Sequence, residues 1–240
     1  MSGATVARVS LTDEAIARIR ELIQSGKLPP GSKLPPEHQL ATELGISRSP
    51  MREAVKALAV ARVLDVRRGD GTYVTSLAPT VLLEGLGLAV ELMHGNTLLE
   101  LTEVRRLFEP IATGLAATRA TEEHLAQIHS HLEAMRAAAG DVELLNQHDA
   151  AFHRAVAAAT GNEALATLLD GISGGTLRAR VWRGMVEAGS ADRTLSEHEV
   201  IYEALAERDA TLAQAAALVH ISTTERWLRR VHGARAEEAE

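Results

Sequence analysis

The chain is predicted to be mainly α: an N-terminal winged helix-turn-helix followed by an all-α antiparallel helical bundle of six to seven helices. Three observations predict this. Aromatic residues make up only 2% of the 240 residues, whereas apolar residues reach 46% and are mostly Ala, Leu and Val. That balance favours close helix-on-helix packing over a β-sandwich core. Strand signals persist only near residues 64–75, around a Gly-Asp-Gly tip, and every later segment repeats its apolar residues at helical spacing. Charge also divides along the chain. Residues 1–78 hold 11 Lys and Arg against 8 Asp and Glu, while residues 79–240 hold 14 against 24, within an overall charge of −7. All three lysines lie in the first part and nine of the ten histidines in the second. Two domains with different partners follow, a polyanion being the partner of the first.

Absences narrow the function further. With no cysteine, disulfides and thiolate metal sites are excluded. No apolar run approaches the roughly 20 residues that span a bilayer, and Met1–Ser10 has no signal-peptide apolar region. A cytoplasmic protein without a membrane partner is the expectation.

The N-terminal elements can be taken in order. Ser10–Asp13 is a capping signal, and Ala15, Ile16, Ile19, Leu22 and Ile23 give one apolar helical face up to about Ser25. Gly26–Pro30 breaks the chain. Pro35 and Pro36 suit the start of a short second helix that ends at Leu44, with Gly45 as its left-handed stop. Ser47 is placed to cap a third helix, with Ala54, Val55 and Leu58 on its buried side. Arg48, Ser49 and Arg52 fall on the N-terminal part of that helix, away from the apolar face. In a helix-turn-helix this part enters the major groove, where arginine can bond guanine O6 and N7. Lys56, a turn further on, suits a phosphate. Leu64–Arg67 and Thr72–Thr75 can pair around Arg68–Gly71 as a wing.

This stretch, GSKLPPEHQLA…GISRSPMREAV followed by GDGTYV, resembles the winged helix-turn-helix of GntR-family bacterial transcriptional regulators over about residues 11–76. The resemblance implies DNA contacts at Ser47, Arg48, Ser49 and Arg52 and at the wing glycines Gly69 and Gly71. His38 stands where the family usually has a basic residue, and Asp70 occupies the wing tip, where Lys, Arg or Asn is frequent. A carboxylate there would repel a phosphate.

Ser76–Pro79 reads as a linker, which places the DNA-binding domain at 1–76, the connection at 77–84, the helical domain at 85–232 and a polar, disordered tail at 233–240. Helices are predicted near 80–94, 98–119, 121–139, 142–160, 163–187, 196–208 and 210–232. Thr121, Asn162 and Asp209 are candidate caps, and Ser196-x-x-Glu199 reads as a capping box. Gly95, Gly140 and Gly161 are candidate stops.

Four polar residues sit on apolar stripes of this domain. Asp149 and His153 are four apart and share a face with Leu145 and Val156. His198 is in line with Ile201 and Leu205, and His220 with Ala213, Ala216, Ala217 and Trp227. A carboxylate and imidazoles in apolar stripes are costly unless paired or ligating. One Asp oxygen with three imidazole nitrogens suits a divalent transition metal, and a hydrogen-bonded core pair is the other reading. His124, His129, His131, His148 and His232 fall off the apolar faces and read as solvated. Arg105 lies on the stripe Leu101, Arg105, Phe108, Ala112 and Leu115, so it faces the interior and needs an anionic partner. That partner is either an internal carboxylate or a ligand. Arg178, Arg180, Trp182 and Arg183 are candidates for a pocket mouth, on a helix whose period does not orient them.

EVRRLFE (Glu103–Glu109), DAAFH (Asp149–His153), Gly161-Asn162, Glu197-His198 and Val219-His220 together resemble the FCD domain of the FadR subfamily over about 85–230. In metal-containing members the Asp and three His of these motifs hold zinc, nickel or a similar ion, while members lacking them bind acyl-CoA. The resemblance implies a metal on Asp149, His153, His198 and His220, zinc before nickel or manganese, and a small carboxylate effector held by Arg105. The resulting expectation is a homodimeric regulator, a repressor rather than an enzyme, that reads a short palindromic operator in double-stranded DNA. A metal-dependent enzyme acting on a small organic acid, and a constitutive DNA-binding protein with a purely structural metal, are the alternatives.

Overall fold

Ser10 starts the first helix, α1 (Leu11–Gln24), by a reciprocal box: its hydroxyl accepts from the Asp13 amide at 3.0 Å while the Asp13 carboxylate accepts from the Ser10 amide at 3.3 Å. The structure, a computed structural model, describes residues 10–92 and 97–237. It divides into two compact units, 1–84 and 85–240.

In the first unit α1 packs on α3 (Arg48–Val60), with α2 (Glu37–Glu43) between them in sequence. Ala15, Ile19, Leu40, Met51, Ala54, Val55 and Leu58 form the core. The α2–α3 turn is set by Gly45, whose φ of 68° lets the amides of Gly45 and Ile46 return to the carbonyls of Thr42 and Ala41. Ser47 has the extended backbone of a cap but makes no capping bond with its side chain. One of the two amides such a side chain would seek belongs to position 50, a proline without an N–H.

The wing follows. Strand β1 (Leu64–Arg67) pairs antiparallel with β2 (Gly71–Val74), Leu64 opposite Val74 and Arg67 opposite Gly71. The second strand thus begins one residue earlier than the pattern predicts, because Gly71 itself closes the hairpin. A Cβ there would stand 2.6 Å from Lys33 Cε, so glycine admits the Lys33 stem against the strand, and Lys33 adds a bridge to Tyr73. A short helix, α4 (Pro79–Leu82), ends the unit's elements.

The second unit is helical among its described residues: α5 (Gly85–Glu91), α6 (Thr97–Arg119), α7 (Glu122–Ala137), α8 (Val142–Ala159), α9 (Glu163–Val186), α10 (Ser190–Ala206) and α11 (Ala210–Glu237). Side chains of α6, α7, α8, α10 and α11 build the main core. Alanines 116, 117, 155, 204, 213 and 217 allow close approach, and Ile128, Met135, Phe152, Ile201 and Leu205 fill the space. Thr121, Asn162 and Asp209 cap α7, α9 and α11 as predicted. Four expectations change. The segment expected as one helix over 80–94 is two short helices, α4 and α5, with Gly95 outside the described residues. The start of α10 is Ser190, after Gly189, which places Ser196 and Glu199 inside the helix, where their spacing no longer caps anything. His124 is not merely solvated: its Nδ1 accepts from the Thr121 amide and closes the capping box of α7. Finally, α11 continues helically through the polar residues 233–237 expected to belong to a tail.

Candidate metal centre and candidate DNA-reading surface

One turn of α8 separates Asp149 from His153, so both project from one face of that helix. His198 enters from α10 and His220 from α11. The structure brings all four predicted residues together, with one ligand atom from each lying within 4.8 Å of the others. Asp149 Oδ1 is 3.0 Å from His198 Nε2 and 3.7 Å from His153 Nε2. Phe152 and the alanines beside it exclude water, and His198 is 0% exposed.

The far side of each ring is already engaged. His198 Nδ1 donates to the Thr194 carbonyl at 2.7 Å, and His220 Nδ1 donates to Glu197 Oε2 at 2.8 Å. His153 Nδ1 lies 3.3 Å from Glu109 Oε2. These outer partners fix the tautomer that leaves Nε2 with its lone pair facing inward. Among the described residues, Nε2 of His153 and Nε2 of His198 are buried without a hydrogen-bond partner. The 3.0 Å approach of His198 to Asp149 is off the direction of an N–H bond. Two orphaned acceptors converging on a carboxylate oxygen are costly in a closed core and fit a cation.

Electrostatics agree with neutral imidazoles. Burial pushes His153 down to about 3 and His198 down to about 4, in both cases against an opposing pull, from Glu109 and from the Thr194 carbonyl respectively. Burial, followed by the neighbouring His198 and His153, holds His220 well below its usual value. Burial alone would raise the Glu109 carboxyl, but Arg105 and His153 overcome it and the group settles at about 2. The rings therefore offer lone pairs, and the carboxylate behind His153 stays ionised.

Arg105 is buried, as its stripe predicts, and its partner is internal. It grips Glu109 with Nε to Oε1 at 2.5 Å and Nη2 to Oε2 at 3.2 Å, and Nη1 donates to Thr176 Oγ1 at 3.0 Å. Phe108, expected on the same inward face, is 50% exposed. The buried rail of α6 is Thr102, Arg105, Glu109, Ala112 and Ala116, which leaves Leu107, Phe108 and Ile111 on the outside.

Beside the centre is a cavity of about 40 Å³ whose wall includes Asn146, Asp149, Arg180, Arg183, Thr194 and His220. Arg105 is not part of that wall. Arg180 holds Asp149 Oδ2 through Nη1, and Arg183 bonds Glu187 at 2.6 Å and Thr224 at 3.0 Å. The geometry thus orients the helix that periodicity left open: Arg180 and Arg183 face the cavity, while Arg178 and Trp182 line a different groove. Glu109, Thr194 and Glu197 were not anticipated as supports of the imidazoles. Only the i, i+4 spacing of Arg105 and Glu109 could have suggested one of them.

In the first unit Ser47, Arg48, Ser49, Arg52 and Lys56 all stand exposed along α3, and His38 is exposed on α2. Arg52 Nε lies 3.3 Å from Glu37 and Lys56 Nζ 3.0 Å from Glu53, both in open solvent. Gly69 and Gly71 flank the wing tip. Asp70 does not project alone: it accepts from Lys33 Nζ at 3.1 Å and from the Tyr73 hydroxyl at 3.0 Å, which lowers its carboxyl pKa.

Residues 11–74 match the family described as bacterial regulatory proteins, gntR family, and residues 100–223 match the FCD domain. The HTH-type transcriptional regulator LutR of Bacillus subtilis (strain 168) is 34% identical over 85% of this chain and 94% of its own length. The galactonate operon transcriptional repressor of Escherichia coli (strain K12) is 32% identical over 92% of this chain and 97% of its own. The chain belongs to the GntR family of bacterial transcriptional regulators. Among solved structures, the GntR protein of Streptococcus agalactiae superimposes on this regulator with a TM-score of 0.64 and 30% identity, covering 90% of this chain and 99% of that one. These relatives are regulators of transcription and not enzymes, which removes the metal-dependent enzyme from consideration. The regulator's gntR segment contains α1–α3 and the wing, and its FCD segment contains all four residues of a cluster that could hold a metal ion. Among the described residues, no helix is long and apolar enough to cross a membrane.

Proposed function

We propose that this regulator is a cytoplasmic, homodimeric repressor whose helical domain holds a divalent metal on Asp149, His153, His198 and His220 and senses a small hydroxycarboxylate beside it. The observation that carries this reading is the pair of buried, partnerless Nε2 atoms facing Asp149 Oδ1. Three imidazoles and one carboxylate suit zinc first, with nickel or manganese as alternatives. The adjoining cavity, walled by Arg180, Arg183, Asn146 and Thr194, offers donors for a carboxylate and hydroxyls. Galactonate, for which the E. coli relative's operon is named, is a compound of this class. Arg105, expected to meet the effector itself, could do so only by exchanging Glu109 for it. Its proposed role is first to hold Glu109 behind His153.

Residues 1–76 would read DNA and 85–232 would sense, joined by 77–84. Arg48, Ser49 and Arg52 would meet base edges, Ser47, Lys56 and His38 would meet the backbone, and Gly69 and Gly71 would bring the wing close to it. Leu107, Phe108 and Ile111, each about half exposed on one face of α6, support self-association. Release from DNA requires that effector bind two arrangements of the regulator unequally. The test is to select operator sequences from random DNA, then measure affinity with zinc alone and with zinc plus a panel of hydroxycarboxylates. Weakening by at least one of them is expected. Affinity that ignores every one would leave a purely structural metal.

A further inference from the structure

Among the described histidines of the helical domain, all but two have a task. His124 caps α7, His129 lies against the Tyr202 ring and 3.6 Å from Glu133, and His153, His198 and His220 meet at the centre. His131 on α7 and His148 on α8 do none of this. Expected as solvated, both are instead partly buried. They stand side by side across the α7–α8 contact, with ring centroids 6.3 Å apart and planes tilted by 34°. Neither ring makes a hydrogen bond or an ion pair among the described residues.

Two imidazoles held together by packed helices are a preorganised pair of donors. They give up no hydrogen bond on ligating, and the second nitrogen binds intramolecularly once the first has captured an ion. The rings stand slightly further apart than the 4.5–5.2 Å that separates the three at the centre, a gap that rotation about χ1 or χ2 of either unpartnered ring closes. Charge does not oppose an ion here. Arg154, the cation whose field reaches His131, is paired with Asp170 at 3.4 Å, and residues 79–240 hold 24 acidic against 14 basic side chains. No third His, Asp or Glu joins the pair among the described residues, so water completes the shell and keeps the ion exchangeable. Imidazole nitrogens with open positions suit nickel, copper(II) and zinc. We infer that His131 and His148 form a second metal site, a two-imidazole clamp on the surface of the bundle that takes an exchangeable divalent transition ion. A loaded clamp ties α7 to α8, the helix that carries Asp149 and His153. The inference does not depend on the buried centre being loaded.

The two sites can be counted separately. The untagged full chain is dialysed against zinc or nickel over a wide range of free concentration fixed by a metal buffer, and bound metal is measured by elemental analysis. The wild type is expected to hold two ions per chain, the second more weakly. His131→Gln and His148→Gln are each expected to keep the tighter ion and to lose affinity for the weaker one by about tenfold or more. Should one variant not fold, the other decides. A single ion that His131→Gln retains unchanged, or two ions that survive in that variant, overturns the inference and leaves the buried centre standing. A single ion that disappears in His131→Gln overturns the buried centre and leaves the clamp. No bound zinc or nickel at any concentration overturns both.

Discussion

On α3 Arg48, Arg52 and Lys56 stand in water, and in the bundle Arg105, Arg180 and Arg183 are almost sealed from it. Both groups contain arginines facing carboxylates at hydrogen-bonding distance, yet the two kinds of pair differ in what they do. The Arg52–Glu37 contact is exposed on both sides, so solvent screens it and it can be exchanged for a phosphate or a base at little cost. The Arg180–Asp149 contact is not readily exchanged for water, because both groups are almost wholly buried. Under the proposed reading, charges at the first site are held ready for a polyanion. Those at the second hold one another in place.

Removing one partner from each site should expose that difference most sharply. Asp149→Ala leaves the Arg180 guanidinium buried without its carboxylate and is expected to cost about 3–5 kcal/mol of stability in urea unfolding. Glu37→Ala is expected to cost less than about 1 kcal/mol in the same measurement. Equal costs would dissolve the distinction between the two regions.

Acid should act next, and selectively on the bundle. With a chelator present, His153, His198 and His220 take up protons in the unfolded chain near their ordinary value of about 6.5. In the folded chain burial holds His153 down to about 3 and His198 to about 4, with His220 also well below its usual value. The unfolded state therefore binds more protons. Stability is complete above about pH 6.5 and falls as pH drops toward 4, by up to about 1.4 kcal/mol per pH unit for each histidine involved. Glu109, held at about 2, adds its own loss below about pH 4.5. Melting temperatures measured across this range check the slope, and a flat profile would mean that the imidazoles are hydrated.

On the DNA side, Arg52→Ala is expected to cost about 1–3 kcal/mol of specific binding and to relax preference at one base position, while leaving thermal stability nearly unchanged. A uniform loss across sequences would reassign Arg52 to the backbone. The smallest effect belongs to the wing. Asp70→Asn removes a carboxylate that occupies Lys33, so DNA affinity should rise modestly and its dependence on salt should steepen by about one ion. An unaltered salt slope would place Lys33 away from the phosphates.

Legibility followed the same division. The helix-turn-helix was readable almost residue by residue, because capping, the Gly45 turn and the apolar spacing of α3 are local signals. The strand boundary missed by one residue at Gly71, where a contact with Lys33, distant in sequence, decides the geometry. In the bundle the four inward residues were visible as polar interruptions of apolar stripes. Phe108 was misplaced because a stripe of five residues leaves the width of the buried face undefined. Glu109 and Glu197 went unrecognised as supports of imidazole rings, since such support depends on which helix packs opposite.

Periodicity, caps and motif order were enough to determine where most of the helices run, which end of the chain carries the helix-turn-helix, and which Asp and His residues point inward. Those properties depend on interactions over a few residues, and a linear string records them directly. Packing alone decided that Arg105 also reaches Thr176, that Arg180 takes the outer oxygen of Asp149, and that two imidazole nitrogens are left without a partner. Each of these is a competition for partners among groups tens of residues apart in the chain. Its outcome depends on which side chains the assembled core excludes from water.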